Sequence, residues 1–261
     1  MRRRSSGGLG LATVVVAGLT GVAAAAEAGA DGWFPFVMRG TDSAADSPVD
    51  VSFLNGGAAV RRIAVQGGRF VNDSGDRVRF LGTNVCFSGA FPEKDQAPAI
   101  ARRLAQLGFN VVRFHHMDAR DIWLPGGAAL DPEKLDRLDW FIHHLKLNGI
   151  YSNINLHVSR TYPGLAEAGL PRAFRYGKIL DKFHEPFIRL QEQYARDLLA
   201  RVNPYTGLRL ADDPAVAFVE LNNENSLLQL NEAALAGLNQ PELRQRSEER
   251  RVGKECRSRW S

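Results

Sequence analysis

The 261-residue sequence has only two cysteines, Cys86 and Cys256, so no disulfide framework organises it. Cys86 sits in an apolar, strand-like run and is expected to be a buried free thiol. The chain has no Gly-x-Ser-x-Gly elbow, and serine-nucleophile hydrolase chemistry therefore has no support. It also lacks a credible membrane span: the apolar stretch around residues 11–22 is short and rich in Gly and Ala. A net charge of +4 is present, but it belongs to the ends. Arg2, Arg3 and Arg4 carry +3; residues 246–261, with six basic and three acidic side chains, carry another +3 and leave −2 for the remainder. No nucleic-acid partner is expected from such a distribution.

The ends differ in kind from the middle. Residues 1–26 have an arginine-rich start, an apolar centre and a small-residue finish, the layout of a secretory signal peptide. The expected location is therefore secreted or periplasmic, with no membrane association after cleavage. Residues 27–61 read as an irregular lead-in, with aromatic pieces such as Trp33-Phe34-Pro35-Phe36 between Gly, Asp and Ser. Residues 246–261, RSEERRVGKECRSRWS, have no apolar periodicity and resemble the translation of a sequencing adapter. They are expected to be non-native and are set aside from fold reasoning.

Between these ends, residues 62–245 alternate short apolar runs with helical patterns, the rhythm of βα units on a parallel sheet. Residues 63–81 contain β-pieces and the Asn72-Asp73-Ser74-Gly75-Asp76 turn, which predicts a hairpin. Residues 80–87 form a first barrel-type strand, with Asn84 near its end. A helix over 95–107 places Ile100, Leu104 and Leu107 on one face. Residues 110–114 are a second strand. Asp131-Pro132 opens the next helix, with Leu135, Leu138, Ile142 and Leu145 as its buried stripe. A third strand follows over 150–157, then a long excursion to residue 182, a helix over 185–201 and a fourth strand over 215–221. One more helix-like piece lies at 230–243. The fold class is α/β, with about four βα units preceded by a β-hairpin.

The fourth strand organises the rest. Asp212-Asp213-Pro214 is a turn signal, Ala215 to Leu221 is apolar, and the strand then ends on Asn222-Asn223-Glu224-Asn225. Polar residues at the carboxyl end of a buried parallel strand are poor core material, and that end is where ligands bind. A carboxyl group there, with an amide beside it, suits proton transfer to a polar substrate. Asn223 and Glu224 are adjacent, so a bulge is needed if both serve one site. The blander reading is that Asn222 or Asn225 caps the following helix. Other strand ends add Arg113 and His115, which alternation puts on one face, and His157.

The run Glu220-Leu221-Asn222-Asn223-Glu224 resembles the fourth-strand signature of clan A glycoside hydrolases of the cellulase, family 5-like type. Asn110-Val111-Val112-Arg113 resembles that clan's second strand, Leu156-His157 its third, and the Gly82-x-Asn84 end its first. The resemblance covers residues 63–228 and implies the N-terminal half of a (β/α)8 TIM barrel. It implies a carbohydrate substrate, no cofactor and a retaining hydrolysis of β-glycosides. Glu224 is then the general acid/base and Asn223 the amide that holds the sugar hydroxyl next to the scissile bond. Arg113 orients the nucleophile, His157 lines the sugar site, and His115 and Asn84 are further substrate-binding residues. The clan draws its nucleophile from a seventh strand, for which this sequence offers no counterpart, so the chain alone is expected to be inactive. Where that clan often has Pro after the acid/base, this chain has Asn225.

Two other readings stand beside it. His115, His116, Asp118 and His157 are metal-ligand types, but their spacing matches no compact metal motif, and no metal is expected. A non-catalytic carbohydrate-binding or scaffolding barrel is the alternative from another class. Trp123 has the type of a sugar-stacking platform, with burial in the barrel wall the plainer expectation.

Overall fold

After a short helical turn at Ser52–Asn55, the described chain forms a hairpin set by two glycines. In the computed structural model, strand β1 (Ile63–Gln66) pairs antiparallel with β2 (Arg69–Asn72) across Gly67 and Gly68. Their φ values of 56° and 72° are what a two-residue hairpin turn requires and what a side chain resists. The turn predicted at Asn72 to Asp76 is a second one. There Asn72 Oδ1 accepts from the backbone N–H groups of Ser74 and Asp76, and Val71 bridges Arg77. The structure describes residues 50–55, 60–160, 176–182, 184–226 and 245. The signal-like segment, most of the lead-in, residues 161–175, the helix-like piece at 230–243 and the tail lie outside the described residues. All described residues belong to the compact unit Gly40–Ser261, distinct from Met1–Arg39.

After the hairpin the βα alternation appears in the predicted order. β3 (Gly82–Cys86), α1 (Ala97–Gln106), β4 (Val111–His115), α2 (Pro132–Leu147), β5 (Tyr151–Asn155) and α3 (Glu185–Leu199) follow one another. A two-residue ladder, β6 (Val202–Asn203) with β7 (Leu208–Arg209), occupies the loop before β8 (Val216–Glu220). β3, β4, β5 and β8 form one parallel sheet in that order. Asp131 caps α2, its Oδ1 accepting from Glu133 N at 2.9 Å, with Pro132 in the first turn. The Asp212-Asp213-Pro214 signal is built on Asp213, which accepts from Ala215 N and from Lys146 Nζ at 2.7 Å.

The sheet has two unlike faces. On the outer face Val112, Phe114 and Ile154 are fully buried against Ala97 and Ala101 of α1, Leu138, Phe141, Ile142 and Leu145 of α2, and Leu198 of α3. Each such large side chain removed from water contributes roughly 1.5–3 kcal/mol. The stripe predicted for α2 is present, with Leu135 partly rather than fully buried. The inner face is divided along its length. At the amino ends of the strands Phe80 packs edge-on against Phe70, Tyr151 and Phe218, with ring centroids 5.0–5.5 Å apart. The hairpin thus closes that end with aromatic rings, and the polar residues fall at the other. Cys86 corrects the sequence reading: it is exposed. It shares the inner face with Gly82 and Asn84 on the edge strand of the sheet, where no described element packs over it.

Candidate active site

The polar end of the inner face is assembled around Glu220, the last residue of β8. The pairing of β5 with β8 skips a residue between Val216 and Phe218, opposite Ser152 and Asn153. That irregularity sets Phe218 beside Asn153 and Glu220 beside Asn155. The bulge expected next to Asn223 is therefore several residues upstream. Glu220 accepts from Arg113 Nε at 2.7 Å and Nη2 at 2.5 Å, from Asn153 Nδ2 at 2.6 Å and from Asn155 Nδ2 at 2.9 Å. A forked guanidinium on a carboxylate, with two amides on the same oxygens, is a strongly oriented arrangement. The Arg113 hydrogen bonds hold the Glu220 carboxyl below its ordinary range, and Glu220 raises Arg113 in turn.

Arg113 also donates to Asn223 Oδ1 at 3.0 Å, so one guanidinium ties the strand end to the candidate sugar-holding amide. Asn223 N donates to His157 O at 2.9 Å, which fixes the amide from its backbone side as well. His115 reaches the same network through Asn155 at 3.4 Å. Its imidazole is pushed toward the neutral form by burial and by the Arg113 charge. Asn84 lies in register beside Arg113 and is exposed on the inner face. Glu220, Asn153 and Asn155 carried no assigned role in the sequence reading. Period-two counting back from the strand ends puts both asparagines on the inner face, the one signal that could have found them.

Glu224 is presented differently. β8 ends at Glu220, and the chain turns before Glu224, which sits at φ 48°. This left-handed backbone is sparsely populated by side-chain-bearing residues and is typical of sites where geometry is imposed. The backbone thus changes direction between Asn223 and Glu224 by this left-handed residue, where a bulge at the strand end was expected. The Glu224 side chain is 80% exposed, and its one ion-pair partner among the described residues is Lys178, at 4.0 Å.

His157 is almost fully buried, at 1% exposure. Its Nδ1 is 2.8 Å from Asn222 Oδ1 and its Nε2 2.9 Å from Tyr176 O. Asn225 Oδ1 accepts from Ile179 N at 2.7 Å, while its Nδ2 donates to Asp181 and Asn222. Asn222 and Asn225 therefore clamp residues 176–182 to the β8 loop; the helix considered for capping lies outside the described residues.

The metal-type residues are each engaged elsewhere. Asp118 is fully buried and accepts from the backbone N–H groups of Val158, Ser159 and Arg160 at 2.8–3.3 Å. His116 contacts Ser159 Oγ at 2.8 Å and stacks on Phe87. Among the described residues no group of three or more His, Cys, Asp or Glu side chains gathers in a metal-holding cluster. Trp123 packs into the wall, its Nε1 donating to Asp118 O and its ring covered by the Arg160 guanidinium at 3.6 Å. Because Asp118 alone satisfies three buried N–H groups, Asp118→Ala is expected to destabilise the fold by about 3 kcal/mol, and Asp118→Asn by less. Urea titration followed by tryptophan fluorescence checks this; an unchanged midpoint for the alanine variant contradicts it.

Four parallel strands in sequential order, covered outside by helices and lined at their carboxyl ends by Arg113, His115, Asn155, Glu220 and Asn223, make up part of an α/β TIM barrel. No protein-family model matches the chain, and no curated protein sequence matches it. Among solved structures it is similar to the endo-1,4-beta-mannanase from Rhizomucor miehei, at 20% identity and a TM-score of 0.51, covering 62% of this chain and 48% of that one. It is also similar to a glycoside hydrolase family 5 mannosidase from Rhizomucor miehei, at 15% identity and a TM-score of 0.51, covering 66% of this chain and 50% of that one. The chain thus spans about half the length of these structures.

Proposed function

We propose that this chain forms the first half of the barrel of a retaining β-glycosidase, with Glu224 as its general acid/base. One observation carries the reading. Glu224 projects from the carboxyl end of a barrel strand on a left-handed backbone, next to an Asn223 that Arg113 and the His157 carbonyl hold in place. In the first step Glu224 gives its proton to the glycosidic oxygen as the bond to the anomeric carbon breaks and a carboxylate nucleophile bonds that carbon. In the second, Glu224 takes a proton from water, which attacks the anomeric carbon and releases the nucleophile. The nucleophile is assigned to a strand beyond the four described, with its carboxyl group roughly 5 Å from that of Glu224. Asn223 holds the sugar; Asn84 and His115 line the inner face beside it. Arg113, anchored by Glu220, and His157, bonded at both ring nitrogens, are assigned to positioning. The secreted or periplasmic location belongs to the same proposal.

The neighbouring structures are a mannanase and a mannosidase, which makes β-mannan the first substrate to try. The test assays the product of the complete gene on β-mannan, cellulose and xylan, following the anomer first released by proton NMR. Release of the β-anomer from one of them is expected; release of the α-anomer, or no hydrolysis of any β-glycan, overturns the proposal. The 261-residue chain assayed alone is expected to be inactive, since the covalent route needs the second carboxylate. Glu224-dependent turnover by that chain contradicts the assignment of the nucleophile to a later strand.

A further inference from the structure

Lys178 is a cation that the acid/base role alone does not explain. Its side chain is only 18% exposed, yet its one ionic neighbour among the described residues is Glu224 at 4.0 Å, beyond hydrogen-bonding distance. An ammonium has three N–H donors, and here its stem is sheltered while no described group lies within hydrogen-bonding distance to accept from it. The segment that carries it is nonetheless firmly placed. Tyr176 O is bound by His157, Ile179 N by Asn225 Oδ1, and Asp181 by Asn225 Nδ2. Gly177, at φ 68°, packs so closely on Phe187 that an added Cβ would lie 1.9 Å from the ring. Tyr176 and Ile179 also take positive φ, 62° and 71°. Backbone strain on both sides of Lys178, held by hydrogen bonds, aims this side chain at Glu224.

Among the described residues around Glu224, the other cations have close counter-ions or are pushed toward neutrality, and Lys178 has none within hydrogen-bonding distance. Arg113 is neutralised by Glu220, and Lys182 by Asp181 at 2.7 Å. His115 and His116 are both pushed toward the neutral form, chiefly by burial. When Glu224 carries the proton it is to donate, it no longer offsets Lys178. A positive charge then faces the glycan beside the scissile bond.

We propose that Lys178 is a substrate-recognition residue and that the site takes a β-linked glycan bearing a carboxylate, a uronic acid, next to the bond presented to Glu224. This rests on the glycosidase reading above. The carboxylate supplies the close acceptor that Lys178 lacks among the described residues and restores charge balance in the state where Glu224 is protonated.

The test is isothermal titration calorimetry on the product of the complete gene in a Glu224→Gln background, which stops turnover and stands in for the protonated acid. Two probes of equal length are used, a β-mannan oligosaccharide and the matching β-mannuronan oligosaccharide, which differ only in carboxylate for hydroxymethyl. The mannuronan probe is expected to bind about tenfold more tightly or better, the gain of a charge-assisted contact. Adding Lys178→Met should bring the two probes to parity, and Lys178→Arg should keep the preference. Parity with Lys178 intact, a preference that survives Lys178→Met, or binding of neither probe overturns the proposal. Glu224-dependent hydrolysis of β-mannan without any Lys178-dependent preference removes this inference and leaves the glycosidase reading. A Lys178-dependent preference in a protein that hydrolyses neither polymer removes the glycosidase reading and keeps the carboxylate site.

Discussion

Glu224→Gln in the product of the complete gene is expected to cut turnover of a natural β-glycan by about 10²- to 10⁴-fold, the range that a positioned general acid supplies. A dinitrophenyl glycoside, whose leaving group departs without protonation, should form the covalent intermediate at a rate close to that of the unaltered enzyme. Its steady-state turnover should then be limited by the second step, because the base that activates water is missing. The two substrates thus separate proton donation from every other effect of the substitution. The side chain is 80% exposed and its one ion pair among the described residues is 4.0 Å long, so Gln at this position should leave stability unchanged. Equal and small losses on both substrates contradict the acid/base role.

Glu220→Ala is expected to be damaging for a different reason. It removes the acceptor for Arg113, Asn153 and Asn155 together and leaves a guanidinium largely sheltered from water without its counter-ion. Removing one member of a fully buried pair costs 3–5 kcal/mol; with these two side chains 24% and 29% exposed, about 2–3 kcal/mol is expected. Arg113 is also the donor to Asn223 Oδ1, so kcat should fall by more than KM rises as the amide loses its orientation. The network carries a pH signature too. Arg113 hydrogen bonds depress the Glu220 carboxyl from its ordinary 4.5 in the folded state. Its stabilising contribution is therefore complete above about pH 4.5 and is lost as the pH falls through the depressed folded value. Glu220→Gln should weaken this acid-side loss, measurable as a flatter dependence of Tm on pH below 5. An alanine variant of unchanged stability and kcat removes Glu220 from the positioning role.

Much of this arrangement was legible in the sequence, and the parts that were not have physical reasons. The βα alternation, the Asp131-Pro132 helix start and the strand ending at Glu220 follow from periodicity and capping chemistry, which are local. Arg113 and His115 on one face follow from alternation. The bidentate pairing of Arg113 with Glu220 does not, because it joins residues 107 positions apart across two strand pairings. Cys86 read as buried because an apolar run says nothing of which face a residue takes or whether that strand lies at a sheet edge. The backbone of Glu224 was unreadable as well: neither glycine nor proline marks the turn that puts it at a left-handed φ. Asn225 looked like a small departure from the family pattern. In the structure it is the clamp that seats the Lys178 segment, a role visible only once residues 222–225 and 176–182 are brought together.

The central assignment, Glu224 as acid/base of a retaining glycosidase, is tested most directly by chemical rescue. Glu224→Ala in the product of the complete gene is turned over on a dinitrophenyl β-glycoside with and without azide, and the product is characterised by NMR. Azide needs no base to attack the glycosyl-enzyme, and it enters from the face that water would use. The expected result is a large azide-dependent rise in steady-state rate and a β-configured glycosyl azide. An α-configured azide would place Glu224 as the nucleophile, and no azide effect on a slow variant would remove it from the reaction.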